Sequence, residues 1–290
     1  MAKHTTSKIV RNRLRKEKIA KILMQLSGIS ITGSLFFIVG TILYKGLPYL
    51  SWEMISQSPQ GGFYIGKGGG ILNAILGSLY LALASTGIAT LIGIPISLYL
   101  NLYVPKDSFI ARSAKLLFDV LFGIPSIVYG AIAFSIMIWL GIRASLLGGI
   151  ITITLLTIPI VVRTIDELLK TVPIDLTQVT FSLGATRWEA ARVVLKYIKP
   201  GIFTAILLAF GRAIGDVAGV LLTTGFSDNM PKYIDEPAAT LPLAIFFQLS
   251  SPIPEVQGRA YASALVLTFI ILFIVLCTHL LAAKQKKHKL

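Results

Sequence analysis

The residues best placed to do chemistry are Arg212 and Asp216, four positions apart in the apolar run ILLAFGRAIGDVAGVLL. On a helix that spacing sets two side chains on one face. Charge held at membrane depth is costly enough to mark a functional hypothesis. Arginine stays cationic and offers a planar fork of N–H donors, which suits a phosphate-like oxyanion. Asp216 can orient the guanidinium or accept a proton from a monohydrogen or dihydrogen species. The plainer alternative is an internal salt bridge that only fixes the helix. Gly211, Gly215 and Gly219 form a four-spaced strip that predicts a close helix neighbour.

Other reactive residue types gather less well. Asp119, Asp166 and Glu167 flank apolar runs, and the expectation for them is head-group-level pairing with Arg112, Lys115 or Arg163, with no chemistry assigned. Gly61, Gly66 and Lys67 imitate the start of a phosphate-binding loop, but Gly68 replaces the hydroxyl residue that would hold magnesium and no strand precedes it. A flexible outer loop is expected there, with Trp52, Phe63 and Tyr64 at the membrane interface. His4, His279 and His288 have no metal-ligand spacing. The single cysteine, Cys277, has no intrachain partner. A membrane-embedded enzyme acting on a phosphorylated lipid would need a second acid, a Ser–His pair or a metal cluster beside Arg212 and Asp216, and none accompanies them.

The elements that must position this pair are membrane helices. Over 290 residues, 54% are hydrophobic and 14% charged, with a mean hydropathy of +0.78, which excludes an ordinary soluble domain. A hydrocarbon core about 30 Å thick needs roughly 20 helical residues. Six runs meet or approach that length, near 22–44, 71–100, 116–140, 145–163, 201–225 and 260–283. The net charge of +14 raises the possibility of nucleic acid, but the basic residues lie in tails and loops between these runs. With the N-terminus inside, 21 of the 27 Lys and Arg fall in inner tails and loops and five in outer loops, so both termini are expected in the cytoplasm. Residues 1–21, with eight of those cations, form a basic anchor beside anionic lipid; 22–283 form the membrane domain and 284–290 a second tail.

Gly93 with Pro95, Gly123 with Pro125, and Pro159 interrupt three spans, and in lipid such breaks point to a translocation core. Small residues from Gly77 to Ala89 suit close packing of the second span, within or between subunits. Leu241 to Leu249 predicts a short helix that cannot span. The outer loop from Phe226 to Gly258 offers a polar surface for a solute-binding protein.

Between the fourth and fifth spans lies a polar interruption, QVTFSLGATRWEAARVVLKYIKP, from Gln178 to Pro200. It predicts a helix to Leu183, an elbow at Gly184, a cap at Thr186 and a second helix from Arg187. In that second helix Trp188, Ala191, Val194, Leu195 and Ile198 share one face, expected to pack, while Arg187, Glu189, Arg192, Lys196 and Lys199 remain outside. A basic helical elbow on the cytoplasmic side reads as a docking element for a soluble partner.

This stretch resembles the cytoplasmic loop of ABC-importer permeases, in which Glu-Ala-Ala, three residues and a Gly precede an apolar run. Here Gln178-Val179-Thr180 replaces Glu-Ala-Ala, and Lys196 stands where many members have Pro; the Leu183-Gly184-Ala185 core remains. Residues 46–73, FGIPSIVYG at 122–130, PIVVRTIDELLKTVP at 159–173 and GRAIGD at 211–216 extend the likeness over nearly the whole chain. They are similar to the A-type permease subunit of phosphate ABC importers, within the binding-protein-dependent transport inner-membrane components. The resemblance implies an all-α, six-span permease of the type I ABC-importer fold, not itself an enzyme. Residues 164–200 would be its ATPase-coupling loop, with Gln178, Leu183, Gly184, Ala185, Arg187 and Trp188 at the contact. Arg212 and an acid, usually Glu but here Asp216, would stand in the anion path. The implied partners are a C-type permease subunit, a homodimeric ATPase carrying ATP and magnesium, and a phosphate-binding protein, with membrane lipid around them and no nucleic acid. This chain would bind no cofactor. Another oxyanion, sulfate or molybdate, remains an alternative cargo because an arginine attracts it equally.

Overall fold

A computed structural model describes residues 2–60, 68–105 and 107–286. Gly61, Phe63, Tyr64, Gly66 and Lys67 of the outer loop lie outside the described residues, as do His288 and the side chains of His4 and His279. The first helix, α1 (Ala2–Gly46), runs from the basic segment through the first apolar run. A short turn and α2 (Trp52–Ser56), capped by the Ser51 hydroxyl on the Met54 amide, lead to α3 (Leu72–Leu98), which ends in a π-helical turn at Tyr99–Tyr103. Then come α4 (Phe109–Gly123), α5 (Ser126–Trp139), α6 (Leu146–Lys170) and α7 (Ile174–Ser182). The chain closes with α8 (Arg187–Gly215), α9 (Leu241–Leu249) and α10 (Pro254–Lys286).

Five helices are long and apolar enough to cross a membrane, and α4 with α5 makes a sixth crossing bent by 97°. The interruption expected at Gly123 and Pro125 in the span over 116–140 is thus a sharp break. Ile124 and Pro125 take extended backbone angles between the span's halves. Proline has no N–H for the Leu121 carbonyl, the acceptor it would meet in a continuous helix. The Ile124 amide turns onto that oxygen at 3.3 Å and the Tyr129 hydroxyl donates to it at 2.8 Å. Pro95 and Pro159, by contrast, sit inside unbroken helices. Gly93 serves approach: a methyl group there would lie 2.8 Å from Val161 Cγ1.

The centre is the parallel pair α3 and α6, whose contacts run from Leu81 beside Gly149 to Ser97 bonded to Val162. Leu81 and Ala82 of α3 meet Ile150 and Ile153 of α6, Phe210 and Ile214 of α8, and Leu243 of α9 in one buried cluster. The small residues of α3 serve this internal packing, with Ser78 accepting the Leu241 amide at 2.7 Å and Gly77 lying against the Ala239 carbonyl. The short helix expected at Leu241–Leu249 forms over those residues. α1 is an outlier, because none of its apolar window is buried by the rest of the chain. It joins the body at its C-terminal end, where Gly46 meets the Tyr261 carbonyl and Lys45 sits 4.9 Å from the Tyr261 ring centroid.

Replacing Tyr129 with Phe removes one of the two donors at the Leu121 carbonyl and is expected to lower stability by about 1 kcal/mol. Thermal unfolding of the purified chain in detergent checks this; an unchanged midpoint would show that the Ile124 amide suffices.

Candidate functional site

Arg212 lies thirteen residues beyond Lys199 on α8, or roughly 20 Å along the axis, within the apolar part of the fifth candidate span. Its ion pair with Asp216 forms, at 3.7 Å from Nη2 to Oδ2, but the two do not share a helical face as the spacing suggested. α8 ends at Gly215, and Asp216 has extended angles of φ −79° and ψ 121°. The reason is a competing bond: Asp216 Oδ1 accepts the Gly219 amide at 2.7 Å, so the carboxylate caps the helical turns that follow the break. The Val217 and Val220 carbonyls carry those turns on to Thr224. The two charges differ sharply in cover, with the Asp216 side chain 4% exposed and that of Arg212 54%. The acid is buried, and the guanidinium is half-exposed on this chain.

The glycine strip divides at the same break. A methyl group on Gly211 or Gly215 would meet nothing in this chain, so that face of α8 is open, whereas Gly219 is covered by Asp216 and Ile153. The broken segment also joins two motifs that the sequence keeps apart. A methyl group on Gly130 of α5 would lie 2.8 Å from the Gly219 carbonyl oxygen, and Ser145 ahead of α6 donates its amide to Thr223 at 2.9 Å. The break after FGIP thus rests on the break after GRAIG. Gly130 and Tyr129 were not singled out from sequence; the one local clue is the spacing of Leu121, Pro125 and Tyr129.

On the opposite side of the membrane from the Thr224 end, α7 and α8 form the helix, elbow and helix that were expected. Gly184 has φ +83°, a left-handed conformation that costs other residues roughly 1–2 kcal/mol. Thr186 and Glu189 make a full capping box, with the Thr186 amide on Glu189 Oε2 at 2.8 Å. The first helix begins earlier than Gln178, at Ile174, and the second continues without interruption through Pro200 into the fifth span. Trp188 does not pack inward as expected. It is 56% exposed with Arg192 over its ring at 5.2 Å, because the inward phase of the continuous helix falls on Ala190, Ala191, Val194 and Ile198. Leu183 is 83% exposed, Gln178 is exposed and Ala185 is half-buried. Val179, Leu183 and Trp188 therefore offer apolar surface that this chain leaves uncovered. Arg187 turns back instead, donating from Nη1 to the Tyr103 carbonyl at 2.9 Å.

The same end of the bundle holds a further group of charges. Asp119 pairs with Arg163 at 3.0 Å, as expected for one of its three candidate partners, and Arg163 also lies over the Phe122 ring. Asp166 and Glu167 both pair with Lys170, at 3.2 and 2.7 Å, which was not among the expected partners Arg112, Lys115 and Arg163. Asn101 donates to Asp166 at 2.9 Å. These groups line a polar cavity of about 210 Å³ between α3, α4 and α6.

Six crossings with two internal breaks, a half-exposed intramembrane arginine and an exposed helical elbow define a polytopic membrane transport component. The model for binding-protein-dependent transport system inner membrane components matches residues 93–287, and the chain belongs to that family. It is 33% identical over 270 residues to the phosphate transport system permease protein PstA of Haemophilus influenzae, covering 92% of this chain and 94% of that protein. The PstA of Yersinia pestis is likewise 33% identical, over 276 residues, covering 94% and 92%. Among solved structures, an inward-facing form of the MetNI methionine ABC transporter superposes with a TM-score of 0.58 at 16% identity, covering 74% of this chain and 95% of that one. The fold is that of an ABC-importer permease.

Asp216→Asn keeps an acceptor for the Gly219 amide, whereas Asp216→Ala does not. The alanine variant is expected to lose about 1 kcal/mol of stability relative to the asparagine variant. Equal losses in unfolding experiments would place the value of Asp216 in its charge and not in its cap.

Proposed function

We propose that this chain is a permease subunit of an ATP-driven phosphate importer. The observation that carries the reading is Arg212, a permanent cation near mid-membrane whose guanidinium is half uncovered by its own chain and held from below by a buried carboxylate. Lipid is a poor neighbour for such a group, whereas a water-filled path shared with a second permease subunit suits it. The open face at Gly211 and Gly215 supports a close helix neighbour beside that path. The cargo rests on the relatives, which are phosphate transport permeases aligned over nearly their whole length.

The partners are then a C-type permease subunit, a homodimeric ATPase holding ATP and magnesium, and a phosphate-binding protein on the outer side. The chain lies in the plasma or inner membrane with both termini cytoplasmic, and it supplies no ATPase site of its own. The contact with the ATPase comprises Gln178, Leu183, Gly184, Ala185 and Trp188, with Arg187 behind it. Closure of the ATPase dimer on ATP displaces the elbow, and the bundle opens the path to alternate sides. Only the difference in ATP affinity between open and closed ATPase dimers supplies energy for this step.

Two experiments test the reading in vesicles holding the four components. ATP-dependent uptake of labelled phosphate should resist competing sulfate and should be lost in Arg212→Ala with the complex still assembled. Suppression by sulfate or molybdate would move the cargo to another oxyanion, and native uptake in the variant would reduce Arg212 to an ion pair of the fold. Gly184→Val should insert normally while ATP hydrolysis continues without matching transport. Coupled transport at the native ratio in that variant would sink the docking assignment.

A further inference from the structure

We propose that the π-helical turn Tyr99–Tyr103 is the relay that carries movement of the elbow to the bent span, with Asn101 and Arg187 as its positioning residues. The inference rests on the docking reading of the elbow. The turn is set apart from the helix before it by a five-residue step, in which the Val104 amide bonds the Tyr99 carbonyl at 3.2 Å. Such insertions in an α-helix recur at functional sites, because the local hydrogen-bond register is weaker and can shift.

Three elements grip this turn. From α8, Arg187, three residues beyond Gly184, donates to the Tyr103 carbonyl at 2.9 Å and stands 5.7 Å from the centre of the Tyr103 ring, which stacks on Tyr99. From α6, Asp166 accepts the Asn101 amide at 2.9 Å, while a second bond from the same amide reaches the Ser97 carbonyl at 2.9 Å. From α4, Ala111 packs with Leu100 and Val104, backed by Phe118. A helix that were only a strut would need none of these ties at its last turn.

The contacts continue to the candidate anion path. α4 leads to the Ile124–Pro125 break, and beyond it Gly130 lies against the Gly219 carbonyl, beside the Asp216 cap and its ion pair to Arg212. A shift of the elbow pulls Tyr103 through Arg187. The turn changes register against Asp166, α4 pivots at Pro125, and α5 moves on the broken segment. Asn101 is a discriminating residue because it is half-buried and bonded to α6, away from the exposed docking surface. Its loss leaves that surface intact.

The test uses the complete importer in vesicles and compares Asn101→Leu, Arg187→Ala, the double variant and Gly184→Val. ATPase retention, ATP hydrolysis and labelled phosphate uptake are read on each. Asn101→Leu should keep the ATPase bound and hydrolysing while phosphate transported per ATP falls about tenfold, a size typical of coupling losses. Arg187→Ala should lower phosphate transported per ATP by a similar factor, and the double variant should be little worse on that ratio than the poorer single one, since both cut one link. Arg187 is exposed, so that variant tests the link even if Asn101→Leu fails to insert. Native phosphate per ATP in either inserted variant overturns the relay, as does release of the ATPase by Asn101→Leu. If Gly184→Val uncouples while both relay variants remain native, only the relay falls. If Gly184→Val itself remains coupled, the docking reading falls with it.

Discussion

In hydrocarbon a backbone amide or carbonyl has no water to turn to, and each one left unpaired costs several kcal/mol. This chain breaks two of its crossings, and each break is held by a side chain that supplies what the helix has lost. Tyr129 gives a hydroxyl to the Leu121 carbonyl left by Pro125, and Asp216 gives a carboxylate oxygen to the Gly219 amide. Without such local partners neither bend is a stable place for backbone at membrane depth. The two repaired breaks then lie against each other through Gly130, so the polar irregularity of the fold is gathered in one region, and Arg212 borders it.

The acid next to Arg212 illustrates how one group meets two demands. One oxygen is committed to the backbone and the other faces the guanidinium at a distance too long for a hydrogen bond. A carboxylate bound more tightly to arginine would neutralise it and leave little attraction for a passing anion. One turned away would leave the cation without support in a low-dielectric setting. The observed arrangement lies between these limits.

Much of this was legible beforehand, for identifiable reasons. Apolar runs long enough to span mark helices whatever their surroundings, and Gly184, Thr186 and Glu189 act over a few residues, so the elbow and its capping box follow from local chemistry. The short helix at Leu241–Leu249 has the same origin. Four features escaped that reading. The bend at Pro125 could not be told from the unbroken helices at Pro95 and Pro159, because all three offer a proline in an apolar run and only tertiary contacts decide. Trp188 looked like a packing residue by type and spacing, but the helix phase is fixed far away, where α8 meets α6. Asp216 fitted an ideal helix until its capping bond to Gly219 is considered. The ties of Asn101 and Arg187 join residues remote in sequence and leave no periodic mark.

The continuity of α8 from the elbow to the break has a mechanical meaning. Near mid-length α8 packs on the bundle at Gly201, where an added methyl group would meet the Leu168 side chain. Gly201 stands fourteen residues from Arg187 and fourteen from Gly215, giving two arms of roughly 21 Å each. Rigid rotation about that point would make the helix a lever of equal arms. A tilt of about 10° about that point carries each end roughly 4 Å, in opposite directions and with no mechanical advantage. Any displacement of the Arg187 end in such a rotation is matched at the Gly215 end by one of the same size and opposite sense.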